Sequence, residues 1–227
     1  MLNFDENRDF PFYNENPRMS KIGWFVLLIS VVLSYCTYHY ISFPNEILSS
    51  IVFLLIMLVP LLYFSNWDYS LFFKKPTGDE LILAVLMFLA FFAYSLVMTN
   101  FLASTGIPNM DGSSEGIVNI VGLIFSMMAE ELVKFIPLMF LLRVLFKYTS
   151  NRKLSIILSS AVTLVFFGLI HLEPGVSIIS VLLIQGLGSI FHLYAYLKTK
   201  NLITSYIAHL MTDAIIMIIT MLGIMAA

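Results

Sequence analysis

Two carboxylates and an amine stand inside an otherwise apolar stretch of this chain. Glu130, Glu131 and Lys134 are flanked by largely apolar runs at 117–129 and 135–142. A charge near the centre of a membrane helix costs about 2.5–3.5 kcal/mol on insertion scales, so residues of this kind typically mark functional sites. The stretch therefore predicts a functional site in which these three charges have nearby partners.

A structural alternative is an ion pair that only fixes helix packing. Glu130 and Lys134 are four residues apart and share one face of a helix. This pair would account for one carboxylate and the amine, but it leaves Glu131, about 100° round the helix, unexplained. The functional interpretation is therefore favoured.

Four further ionisable residues lie in or at the ends of apolar segments in the C-terminal half. His209 and Asp213 are four residues apart and share one helix face. His171 precedes Glu-Pro-Gly, a helix stop, which places it at an exposed helix end. His192 is interpreted as a packing residue, with a place in a polar cavity as the alternative. Together these residues indicate a polar site within the membrane.

The residue types favour hydrolysis by an activated water. The sequence has no nucleophile motif, no HExxH zinc pair and no Gly-rich phosphate loop. A carboxylate and an imidazole that share a water form a general base, and a second histidine with an acidic neighbour can stabilise an oxyanion. Lys134 could keep one carboxylate ionised. We expect no cofactor; zinc held by two Glu and two His is the rival prediction.

The composition is that of an integral membrane protein. Of the 227 residues, 59% are hydrophobic and 11% are charged, and the mean hydropathy is +0.92. The single cysteine, Cys36, excludes an internal disulfide and a cysteine-rich metal site. We therefore expect the lipid bilayer and a membrane-associated peptide as partners, and no nucleic acid.

The hydropathy pattern predicts an all-α polytopic membrane bundle of about seven transmembrane helices. Residues 1–21 form a predicted cytoplasmic segment, and residues 22–227 form a single transmembrane domain. Every basic residue except Lys134 falls on one side of this arrangement, which places the N-terminus in the cytoplasm and the C-terminus outside the cell membrane. The predicted helices are 22–42, 46–64, 80–103, 117–146, 154–171, 176–197 and 202–225.

Straight helices would place the candidate residues at different depths in the membrane. By the rise per residue, Glu130 is buried deeply, His171 is near the outer surface and His209 is nearer the inner one. The residues can meet only if helices are strongly tilted, or if broken helices enter a conical polar cavity. We therefore predict such a cavity.

Three motifs resemble those of the CAAX prenyl protease and bacteriocin-processing family of intramembrane proteases. They are Glu130-Glu131, Phe167-x-x-x-His171, and the run from Tyr196 to Asp213 that ends in His-Leu-Met-Thr-Asp. The resemblance covers about residues 117–215. It implies that Glu130 activates the attacking water with His171, that His209 and Asp213 line the oxyanion site, and that Glu131 supports the other residues.

The motifs depart from the family pattern at two positions. Phe135 stands where the family has Arg, and Lys134 comes one residue earlier, as in the Glu-Glu-x-x-Lys form of relatives that cleave anti-sigma factors. The last position is often Asn in the family and is Asp213 here, which donates a hydrogen bond only when protonated.

The leading interpretation is a glutamate-dependent intramembrane endopeptidase. Its substrate remains open between a prenylated CAAX tail, a bacteriocin leader, a signalling peptide and an anti-sigma factor. The alternative is a non-enzymatic protein, either a scaffold or a proton-coupled transporter, that uses the same buried charges. The oligomeric state cannot be read from the sequence.

Overall fold

Helices are the regular secondary structure in the described part of the chain. The structure, a computed structural model, describes residues 2–5, 7–14, 17–108 and 120–221, and no strand occurs in these ranges. The predicted fold class is therefore confirmed. The long helices are α1 (Lys21–Tyr40), α2 (Glu46–Phe64), α3 (Gly78–Thr105), α4 (Ile120–Thr149), α5 (Arg152–Leu169), α6 (Ile178–Thr199) and α7 (Leu202–Met221).

Six of the described helices are long and apolar enough to cross a membrane. The seventh, α4, has 30 residues but carries the charges of the candidate site along its length. The protein is therefore an integral membrane protein, as its composition predicts.

Where a helix ends inside a described range, its end lies within three residues of the predicted one, and two of the differences concern helices near the histidines. The helix predicted at 154–171 ends at Leu169, because the chain turns there through the bonds from the His171 amide to Gly168 and from the Leu172 amide to Leu169. Gly175 follows with φ of +90°, a conformation that favours glycine and ends any continuation. The predicted 176–197 helix extends instead to Thr199. Between the predicted helices 80–103 and 117–146, residues 109–116 lie outside the described ranges.

Helix α6 is interrupted by a π-helical segment, Leu182–Leu187, between two α-helical parts. Glycines let α5 approach this segment closely. A Cβ atom on Gly168 would lie 2.9 Å from the Val181 carbonyl oxygen and 3.0 Å from the Gly186 Cα. The end of α5, which carries His171, is therefore packed backbone to backbone against α6.

The chain divides into two compact units. The first, here called the histidine unit, comprises Met1–Asp5, Pro76–Ile117 and Ala161–Ala227. The second, here called the glutamate unit, comprises Glu6–Lys75 and Val118–Ser160. The single transmembrane domain and its conical cavity stay predictions.

In the glutamate unit, the N-terminal segment is anchored to α4. Phe12 is buried, and its ring meets those of Trp24 and Phe72 at 5.9 and 5.7 Å. Arg143 donates to the carbonyl oxygens of Phe12 and Asn14, each at 3.0 Å. Residues 12–14 are therefore packed against the helices of the glutamate unit.

Candidate active site

Within the glutamate unit, α4 holds a buried ion pair. The Lys134 Nζ lies 2.5 Å from Oε1 of Glu131, and each side chain is 3% exposed. The two residues are three apart and so share a helix face. Lys134 thus compensates the charge of Glu131, whereas the packing alternative in the sequence pairs it with Glu130.

Glu130 is the more accessible of the two carboxylates. It is half-buried, whereas its neighbours Ala129 and Glu131 are buried. A general base must meet water, and a buried carboxylate is less available for that task than a half-buried one. Of the two residues, Glu130 is therefore better suited to activate a water.

Phe135, at the position where the family has Arg, is a packing residue. It is 2% exposed, and its ring meets the edge of Phe72 with centroids 5.5 Å apart. Phe72 in turn contacts Phe12 of the N-terminal segment. Phe135 is therefore part of an aromatic cluster in the glutamate unit.

In the histidine unit, His171 lies just beyond the end of α5 and is held in one orientation. Its Nδ1 is 2.7 Å from the Phe167 carbonyl oxygen. A carbonyl oxygen only accepts, so Nδ1 carries the proton and donates it. The lone pair of the neutral imidazole is then on Nε2, where it can accept a proton from water.

His209 and Asp213 form the pair that their spacing on α7 predicts. Nε2 of His209 lies 3.2 Å from Oδ2 of Asp213. The His209 side chain is 7% exposed and that of Asp213 is 32% exposed. An ionised Asp213 accepts a hydrogen bond from Nε2–H of His209, which fixes the orientation of the imidazole.

Ring contacts bring all three of these histidines together in the histidine unit. The Phe167 ring meets His171 at 4.7 Å and His209 at 6.4 Å, both edge to face. His192 stacks on His209 with centroids 4.5 Å apart. Within this unit, Phe167 therefore links His171 to His209, and His192, interpreted from the sequence as a packing residue, stacks on His209.

His192 has a polar contact in addition to its packing. It is 1% exposed, and its Nε2 lies 3.1 Å from the Thr212 hydroxyl. Its carbonyl oxygen accepts from the Ser205 hydroxyl at 2.8 Å. These bonds tie α6 to α7 at the level of the histidines.

A buried carboxylate that the sequence interpretation missed fixes the turn between α6 and α7. Glu80 is buried at the start of α3, and its Oε2 accepts from the Thr77 amide at 3.0 Å and from Asn201 Nδ2 at 3.2 Å. Lys200, between the two helices, has φ of +49°. The role of Glu80 in capping α3 could have been predicted, because Thr77-x-x-Glu80 is a capping-box pattern. Its bond to Asn201 could not, because that contact joins residues far apart in the sequence.

The candidate residues are divided between the two units. Glu130, Glu131 and Lys134 belong to the glutamate unit, and His171, His192, His209 and Asp213 belong to the histidine unit. Each group is assembled internally as described above. The meeting of carboxylates and imidazoles at one substrate stays a prediction.

Comparison with known proteins identifies one family. The model of the type II CAAX prenyl endopeptidase Rce1-like family matches residues 113–215. That range contains all three motifs on which the resemblance depends. No curated protein and no solved structure matches the chain. Over residues 113–215 this protein is similar to the Rce1-like type II CAAX prenyl endopeptidases, which confirms the family predicted from its motifs.

Proposed function

We propose that this protein is a glutamate-dependent intramembrane endopeptidase that hydrolyses a peptide bond of a membrane-associated or prenylated substrate. The observation that carries the proposal is the family match over residues 113–215, which spans every proposed catalytic residue. The different burial of the two carboxylates on α4 supports it, because Glu131 is buried beside Lys134 and Glu130 is more accessible.

In this mechanism, Glu130 and His171 activate the attacking water. Glu130 takes a proton as the water oxygen bonds to the carbonyl carbon, and His171 accepts a hydrogen bond from the same water through Nε2. The carbonyl oxygen becomes an oxyanion. When the C–N bond breaks, the proton passes to the leaving nitrogen, which gives an amine and a carboxylate.

His209 and Asp213 stabilise the oxyanion. Nε2 of His209 is already directed to Asp213, so the Nδ1–H of protonated His209 is the donor that a substrate oxygen would meet. A charged donor forms a stronger hydrogen bond than a neutral one. Asp213 therefore acts by holding the His209 ring in orientation through Nε2–H, a role that an ionised Asp can fill.

Peptide cleavage by the purified full chain tests this function. The protein is reconstituted in liposomes with a farnesylated CAAX peptide, and the products are identified by mass spectrometry; the unprenylated peptide is the matched control. Cleavage of either peptide supports the endopeptidase. The alternative, a scaffold or proton-coupled transporter, is favoured if neither peptide nor a set of transmembrane peptides is cut.

We expect the purified protein to be active without a metal. The proposed water is activated by Glu130 and His171, so chelators should leave cleavage unchanged. Elemental analysis should find well below one zinc per chain. One zinc per chain, lost together with activity on chelation and restored by zinc, would instead support the metal-dependent mechanism.

We propose that the N-terminus faces the cytoplasm and that the protein resides in the cell membrane. In a Cys36→Ser background, a cysteine introduced by Ser104→Cys should react with a membrane-impermeant maleimide in intact cells. Ser104 is exposed at the predicted outer end of α3, and exposed Lys147 provides the matched inner position as Lys147→Cys. Labelling of Lys147→Cys but not of Ser104→Cys in intact cells would show that the N-terminus faces outward instead.

A further inference from the structure

We propose that Phe91 on α3 and His192 on α6 are positioning residues that set the ring plane of His209. The three rings form a stack, here called the ring column (Phe91, His192 and His209). The effect of the ring column on catalysis rests on the proposed function, whereas the stacking of the rings does not. All three residues belong to the histidine unit.

The rings of the column are nearly parallel and close. The Phe91 and His192 centroids are 5.0 Å apart with planes 24° from parallel, and those of His192 and His209 are 4.5 Å apart at 27°. All three residues are buried: Phe91 is 8% exposed, His192 is 1% exposed and His209 is 6% exposed. Tilting His209 would therefore displace a buried ring on which it is stacked.

His192 is fixed to α7 by its own hydrogen bonds. The hydroxyl of Thr212 donates to the Ala208 carbonyl oxygen at 3.0 Å, so its oxygen accepts from Nε2–H of His192. The Ser205 hydroxyl donates to the His192 backbone carbonyl. These bonds hold His192 against α7, in position to orient the His209 ring on which it stacks.

Phe91 closes the other end of the column, and α6 is shaped to receive it. A Cβ atom on Gly188 would lie 2.9 Å from Cε2 of Phe91, so the absence of a side chain at this position admits the ring. One turn along α3, the Tyr94 hydroxyl donates to the Leu183 carbonyl oxygen in the π-helical segment at 2.8 Å. A π segment changes the angular register of the residues after it, His192 among them.

The ring column extends the site beyond the part of the chain that matches the family. Phe91 and Tyr94 precede residue 113, where the match begins. α3 therefore contributes to the orientation of His209 without carrying any of the three motifs.

Chemical modification of His209 tests the ring column without depending on activity. The purified full chain in detergent micelles is treated with diethyl pyrocarbonate, and the modification rate of each histidine is measured by peptide mass spectrometry. Phe91→Leu keeps an apolar side chain but removes the ring, and should raise the rate at His209 by about 2- to 10-fold. The rate at His171, which is outside the column, should not change.

Phe92→Leu is the matched control, because the half-buried Phe92 ring contacts Phe88 at 6.2 Å and lies outside the column. It should leave both rates at the wild-type value. An unchanged rate at His209 in Phe91→Leu, or an equal rise in Phe92→Leu, would overturn the proposal.

Two substitutions of His192 separate stacking from direct chemistry. His192→Phe keeps the stack and should protect His209 better than His192→Leu does. In a cleavage assay, kcat should fall more for His192→Leu than for His192→Phe, with KM little changed in both. Equal effects of the two variants on His209 modification would refute a role through stacking. A wild-type protein that cleaves no peptide would refute the proposed function, while the modification rates would still decide the ring column.

Discussion

Glu130→Gln is expected to lower the rate of peptide cleavage by about 10²–10⁴-fold, the usual contribution of a general base. The amide has nearly the size and shape of the carboxylate but cannot take a proton from water. Glu130 is half-buried, and the substitution leaves both members of the Glu131–Lys134 ion pair unchanged. The measurement is kcat/KM of the reconstituted protein.

Glu46→Gln is the matched control, since Glu46 is exposed in the first turn of α2. It removes a carboxylate from the same unit and should keep wild-type activity. If Glu130 and His171 act on one water, Glu130→Gln combined with His171→Ala should be little worse than either alone. Full activity of folded Glu130→Gln would exclude Glu130 as the base. If the fold-losses of the two single variants multiply in the double variant, the two residues do not act on one water.

Lys134→Met is expected to destabilise the protein by about 3–5 kcal/mol, because it leaves Glu131 as a buried charge without its ammonium. Both members of the pair are 3% exposed, so water cannot replace the lost partner. Methionine has similar length and suits the apolar surroundings, which separates the loss of charge from a loss of volume. Unfolding in detergent micelles, followed by helical circular dichroism, measures the effect.

The double variant Glu131→Gln with Lys134→Met should recover much of this stability, because it removes both charges together. Lys147→Met on the same helix is the control for losing a cation, since Lys147 is exposed. A small effect of Lys134→Met, or a double variant no more stable than the single one, would mean that Lys134 does not compensate a buried charge on Glu131.

Several elements of the fold are determined by short-range physics and were predictable. Apolar runs of about twenty residues must become membrane helices, because backbone groups in lipid have to be bonded within the segment. The Glu-Pro-Gly stop after His171 ends α5 near the predicted residue. Likewise, a helix brings residues four apart onto one face, so the contact of His209 with Asp213 follows once α7 is helical.

Other features depend on choices that a sequence leaves open. Lys134 lies within reach of carboxylates both three and four residues earlier, and the contact with Glu131 depends on the side-chain rotamers and packing around α4. The π-helical segment in α6 also has no clear pattern in the sequence. It fits the close approach of Gly168 to Gly186 and the bond from Tyr94 to Leu183.

The sequence by itself determined the membrane-embedded helices, the ionisable residues within them and the family they resemble, because hydropathy and motif spacing are properties of consecutive residues. Only the tertiary structure decided which partners those residues have. The ring column joins residues 91, 192 and 209, and the bond from Asn201 to Glu80 joins positions 121 residues apart. Such contacts arise from the packing of whole helices against one another, which the local periodicity of a single chain does not specify.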